Sequence, residues 1–164
     1  MKVFIAGSRS IKVIPDSVIK KINAVCRKHY SIIIGDCYGV DTAVQKLLSD
    51  HKYKKVSVYA TGRPRNNIGN WTTVSVSGDD YRGFAFYKQK DLRMINDCDC
   101  GIFIWNGKSR GTKEDYEALL KENKTVILYN EVDNSLKTIK PTPVYSFAEE
   151  STPVQIPLAI PTAF

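Results

Sequence analysis

The sequence predicts an α/β fold in which a parallel sheet is covered by helices on both faces, a three-layer sandwich. The first observation is alternation: short apolar runs at 2–6, 31–35, 55–60, 100–105 and 124–129 are separated by amphipathic stretches at 15–29, 39–51, 84–97 and 111–123. Strands separated by helices are joined by right-handed crossovers, which produce a parallel sheet with helices above and below. The second is that three of the strands run into glycine-containing turns that open a helix.

Taken in order, Val3-Phe4-Ile5-Ala6 is the first strand and leads into Gly7-Ser8-Arg9-Ser10. Pro15 followed by Asp16 fits the start of the first helix, and Val18, Ile19, Ile22, Val25 and Cys26 mark its buried face. Ile32-Ile33-Ile34 leads into Gly35-Asp36-Cys37-Tyr38-Gly39-Val40-Asp41. Residues 61–83 are too long for a plain connection and are expected to be a lid over the sheet's rim or a local excursion, with Arg65, Asn66, Asn67 and Trp71 on the lid rather than in the core. Ile102-Phe103-Ile104-Trp105 leads into a turn from Asn106 to Thr112 and then a charged helix. Beyond Asn130, prolines at 141, 143, 153, 157 and 161 forbid a continuous helix. The chain is therefore expected to divide into a domain over 1–130 and an extension over 131–164. In that extension Val144-Tyr145-Ser146-Phe147 could form an edge strand, and 148–164 is either a packed extended tail or disordered.

With 164 residues and 43% hydrophobic content, one compact core is within reach. Met1-Lys2 runs directly into the first strand, and no apolar run reaches membrane-spanning length, so a cytoplasmic protein is expected. The four cysteines lack metal-finger spacing and are expected to be reduced thiols, with no metal and no cofactor. A net charge of +7 invites a nucleic-acid partner, yet the lysines and arginines are spread over helix faces without a basic tract interleaved with aromatics. The same excess suits an anionic small molecule.

The turns carry the chemistry. The first N–H groups of a helix lack intrahelical partners and sit at the positive end of its dipole, and Gly107 and Gly111 would let a phosphate approach the main chain. In a parallel sheet all three turns fall on the carboxyl edge and can share one ligand. Around them, Arg9 and Arg110 offer charge, Ser8, Ser109 and Thr112 offer hydroxyls, and Asp36 and Asp41 suit sugar hydroxyls. Arg65, Asn66 and Asn67 add donors and acceptors for a base or ribose, and Trp71 a stacking face. These residues point to a phosphorylated ligand, a nucleotide above all.

Gly7-Ser8-Arg9, Gly35-Asp36 with Gly39-Val40-Asp41, the helix bearing Lys90-Asp91 and Met94, and Gly107-Lys108-Ser109-Arg110-Gly111-Thr112 together resemble the SMF/DprA-LOG superfamily, known as SLOG. The similarity is closest to its small YspA/YpsA-like branch and covers about residues 1–130. It implies a Rossmann-like fold whose carboxyl edge binds nucleotides or nucleotide-derived signals. The enzymes of that superfamily, the LOG phosphoribohydrolases, cleave the N-glycosidic bond of a nucleoside 5′-monophosphate. Their helix brings an Arg-Lys pair before a spacer and Met, and their last turn ends Gly-Thr-x-x-Glu; here the pair falls on Lys90-Asp91 and the Glu position on Asp115.

Cleaving a ribosyl bond passes through an oxocarbenium-like state, which a nearby carboxylate stabilises or serves by activating water. Asp115 and Asp91 are the candidates for that role, and Lys90 and Arg110 for steadying the phosphoribosyl group. An acid in a helix's first turn is also stabilising without any catalytic duty. Three functions are therefore expected in descending order: nucleotide or signal binding without turnover, a nucleotide phosphoribohydrolase, and a single-strand nucleic-acid binder of DprA type. The resemblance, together with the apolar residues Phe84, Phe86, Tyr87, Leu92, Met94 and Ile95, further implies a homodimer with the helix around 84–97 near the shared surface.

Overall fold

The computed structural model describes residues 1–142. In chain order the elements are β1 (Lys2–Gly7), α1 (Asp16–Arg27), β2 (Ser31–Gly35), α2 (Val40–Asp50), β3 (Val56–Thr61), β4 (Thr72–Val76), α3 (Gly83–Asp97), β5 (Cys100–Trp105), α4 (Arg110–Lys121), β6 (Thr125–Asn130) and β7 (Ser135–Ile139). The strands form one sheet in the order β4-β3-β2-β1-β5-β6-β7. All neighbours run parallel except β7, which lies antiparallel to β6. The chain is a Rossmann-like α/β three-layer sandwich.

The pleat explains why the strands read as unbroken apolar runs, since both faces are covered. Val3, Ile5, Ile32, Ile34, Ile102 and Ile104 point to one side, against Val18 and Ile22 of α1 and Val40, Val44 and Leu48 of α2. Phe4, Ile33 and Phe103 point to the other, against Met94 and Ile95 of α3 and Tyr116 and Leu119 of α4. Phe4 and Phe103 meet edge to face at 5.2 Å between centroids, the favoured geometry for aromatic quadrupoles.

Two strands were not foreseen. β4 lies within the segment expected to be a lid, and it pairs with β3 from Ser57 opposite Thr72 to Thr61 opposite Val76. Thr72, Thr73 and Ser75 are polar and exposed, as suits an edge strand, and only Val74 and Val76 pack on the core, so the apolar signal is weak. Trp71, just before it, is 9% exposed and packs in the α1/α2 core, with its indole N–H donating to the Tyr53 carbonyl at 2.8 Å. This corrects the expectation that Trp71 is a lid residue. β7 extends the sheet beyond Asn130, with Ile139 opposite Val126. The expected edge strand at 144–147 and the tail at 148–164 lie outside the described residues. Among the described residues no helix is long and apolar enough to cross a membrane.

Strands are added leftward from β1 to β4 and rightward from β5, so order reverses between β1 and β5. At such a switch point the flanking connections leave on opposite faces and open a crevice at the carboxyl ends of the strands.

Candidate functional site

A cavity of about 490 Å³ opens beside the ends of β1 and β5. Its size suits a small organic ligand. Of the residues singled out from the sequence, Gly7, Arg9, Asp41, Lys90, Asp91, Ser109, Arg110, Gly111, Thr112 and Asp115 line it. The structure thus brings the first and last turns together with the middle of α3.

Asn106 ties those two turns to each other. Its backbone N–H donates to Ser8 Oγ at 3.1 Å and its side-chain amide to Ser10 Oγ at 2.9 Å. The same residue's Oδ1 accepts the N–H groups of Lys108 and Ser109 at 3.0 and 2.8 Å, turning the chain into α4. No side chain caps α4 at Ser109, whose hydroxyl instead meets Thr112 Oγ1 at 3.1 Å. The first-turn N–H groups of α4 therefore remain available to an anion.

Eight expected ligand contacts stand outside the cavity lining, each for a physical reason. Ser8 is fully buried, and its hydroxyl is taken by Asn106. Gly35 lies under the Asp41 and Lys90 side chains; a Cβ there would come within 2.9 Å of Lys90 Nζ. Gly39 adopts φ +80° against the backbone of Arg9, a conformation that favours glycine. Gly107 serves the Asn106 turn with φ +77°. Asp36 is 1% exposed and gripped by Arg65, through Nη2 at 2.7 Å, Nε at 3.1 Å and the backbone N–H at 2.9 Å. Burial alone would raise the Asp36 pKa, and Arg65 reverses that and holds it below the ordinary carboxylate range. Asn66 donates to the carbonyls of Asp36 and Cys37 at 2.8 and 3.1 Å, while Asn67 brackets the backbone of Trp71 at 2.7 and 3.0 Å. Arg65 and Asn66 thus anchor the β3–β4 connection to Asp36 and Cys37 just after β2, and Asn67 ties that connection to the start of β4, where a lid would need them free.

The cavity floor is a network of buried charges. Lys90, 3% exposed, donates to Asp91 at 2.6 Å. Burial works against its ammonium, but Asp91, Cys37 and Asp41 outweigh it and raise its pKa. Asp41 accepts the Cys37 N–H at 3.0 Å, and burial pushes its carboxyl up to about 6 against the pull of Lys90. Asp115, 5% exposed, takes Lys88 at 2.5 Å, and Lys88 also reaches Glu114 at 3.4 Å. Burial and then the charge of Asp91 push Asp115 up to about 7, although Lys88 opposes them. Lys88 itself loses to burial but gains more from Asp115, so its pKa is raised. Asp91 acts on both partners, repelling the Asp115 carboxylate and attracting the Lys88 ammonium. A carboxyl that titrates near neutrality is suited to exchanging a proton with a bound molecule.

Lys88, Asn106, Phe84 and Tyr87 also line the cavity and were not read as ligand residues. Helical spacing held the signal for three of them. Phe84, Tyr87, Lys88 and Asp91 share one face of α3 at i, i+3, i+4 and i+7. For Asn106 the signal was its Asn-Gly turn directly before the helix. Comparisons with protein-family models, with curated proteins and with solved structures return no match, so the fold and the geometry of this cavity carry the functional argument.

Proposed function

We propose that the chain binds a nucleotide, or a phosphorylated signal derived from one, in the cavity between β1 and β5. The observation that carries this reading is that Arg9 and the uncapped first turn of α4 line one open cleft. Arg9 forms no ion pair among the described residues, so its charge is not already spent on a carboxylate. Asp41 and Asp91, which line the same cavity, supply acceptors for sugar hydroxyls. The resemblance to the SLOG superfamily supports the same ligand class.

A second reading, hydrolysis of the N-glycosidic bond of a nucleoside 5′-monophosphate, is favoured by Asp115. A cavity carboxyl pushed up to about 7 can take a proton from water as that water attacks C1′ and pass the same proton to the departing base. Lys90 and Asp91, already paired, would position the sugar.

Thermal unfolding with inorganic phosphate and a panel of nucleoside monophosphates tests the binding reading. The melting temperature is expected to rise with ligand concentration, by mass action. Indifference to phosphate and to every nucleotide would refute it. Chromatography of the same mixtures tests the second reading: released base that disappears in Asp115→Asn supports hydrolysis, and nucleotide recovered intact from the unaltered protein rules it out.

A further inference from the structure

Two aromatic rings stand open at the cavity without a role in the core. Phe84, Tyr87, Asp91 and Met94 form one stripe along α3, and its far end is buried, with Met94 1% exposed. Its near end overhangs the carboxyl edge, leaving Phe84 55% and Tyr87 38% exposed while both border the cavity. Leaving two aromatic rings in water forgoes the stabilisation that burying them would give.

Each ring is also held by a cation. The Arg110 guanidinium lies 5.6 Å from the Phe84 centroid and that of Arg65 lies 4.5 Å from the Tyr87 centroid. Arg65 is itself locked by Asp36, so the Tyr87 ring is fixed through a chain of directed contacts. The rings are also close to the anion end: a Cβ built on Gly111, in the first turn of α4, would lie 3.8 Å from the Phe84 ring. A phosphate on that turn and a ring system against Phe84 and Tyr87 therefore fall within the span of a single nucleotide.

We propose that Phe84 and Tyr87 form the face on which the ligand's base stacks, so that the site selects a phosphate carrying a planar aromatic ring over a bare sugar phosphate. The inference rests on the nucleotide-binding reading above and adds the class of group it discriminates. Base–aromatic stacking is tolerant of base identity, because every base presents a π face. Selection is accordingly for a base as such, with its identity left to hydrogen bonds elsewhere in the cavity.

Calorimetric titration of adenosine 5′-monophosphate and ribose 5-phosphate, into the full chain and into Phe84→Ala/Tyr87→Ala, separates the two claims. The unaltered protein is expected to bind the nucleotide more tightly than the sugar phosphate. The double variant should lose about fivefold or more for the nucleotide and leave ribose 5-phosphate unchanged. Phe84→Leu/Tyr87→Leu keeps apolar bulk without a π face and should lose the same preference. Equal weakening of both ligands, or full nucleotide affinity in the leucine variant, would overturn the proposal. So would sedimentation showing that the alanine variant dissociates a dimer, because the rings would then be an interface between copies. A protein that binds ribose 5-phosphate without preferring the nucleotide defeats the stacking proposal alone; one that binds neither defeats the site reading with it.

Discussion

Replacing Arg65 by alanine is expected to cost about 3 kcal/mol of stability, the low end of what breaking a buried ion pair costs. The loss comes less from the missing attraction than from what stays behind. Asp36, 1% exposed, would keep a carboxylate in the protein interior without the two guanidinium donors, Nη2 and Nε, while the backbone N–H at position 65 stays; the side chain of Arg65 keeps 22% of its exposure, so water can enter and soften the penalty. Urea unfolding measures the change directly, and in a domain of this size the melting temperature should fall by about 6–12 °C. Arg65→Lys should recover only part, because an ammonium cannot reproduce the forked contact. A loss under about 1 kcal/mol would show that the β3–β4 connection is not held to β2 by this pair.

Lys90→Met should be the other large effect, and its size should depend on pH. Methionine fills a comparable volume, so the variant isolates the charge. Lys90 is the cation that restrains the rise of the Asp41 pKa and that Asp91 contacts at 2.6 Å. Asp41 already has a folded pKa of about 6, above its unfolded value, so its carboxyl holds a proton longer in the folded state. Its ionisation therefore costs stability as pH rises from about 4 to about 6, and the cost persists above that. Asp115, pushed up to about 7, adds to the same trend. Without Lys90 the Asp41 pKa climbs further. The penalty should then be about 3–5 kcal/mol at pH 8, where two carboxylates are left without their cation, and clearly smaller at pH 5, where Asp41 is protonated in either protein. Denaturant titrations at the two pH values check this; an equal penalty at both would mean that Lys90 acts through packing alone.

Much of this architecture is legible in the sequence because a doubly covered parallel sheet writes itself as apolar runs with clear ends. Ile32-Ile33-Ile34 and Ile102-Phe103-Ile104 are buried on both faces and leave no ambiguity. Strand and helix bounds agree with expectation to within two residues at most ends. β4 and β7 are harder to read for the opposite reason: edge strands need only one buried face or none, and Thr72–Val76 presents just two apolar residues, Val74 and Val76, among polar ones. The turns converge as expected because strand direction alone dictates it. What composition does not encode is which polar side chains the protein consumes internally. Arg65 and Asp36 each look like ligand contacts in a linear reading, and only the structure shows that they are spent on each other. The resemblance points to Lys90 and not to Lys88, although both line the cavity.

Whether an anion seats itself where the first and last turns meet can be read by titrating adenosine 5′-monophosphate into Ser109→Ala/Thr112→Val beside the unaltered protein. These two hydroxyls contact each other at 3.1 Å, so removing both leaves neither without its partner and keeps the fold's hydrogen bonding balanced. Both residues line the cavity at the start of α4. The unaltered protein is expected to show one site per chain, displaced by inorganic phosphate, and the double variant to lose most of that affinity with little change in melting temperature without ligand. Binding of undiminished strength in a folded double variant would place the ligand elsewhere and contradict this expectation.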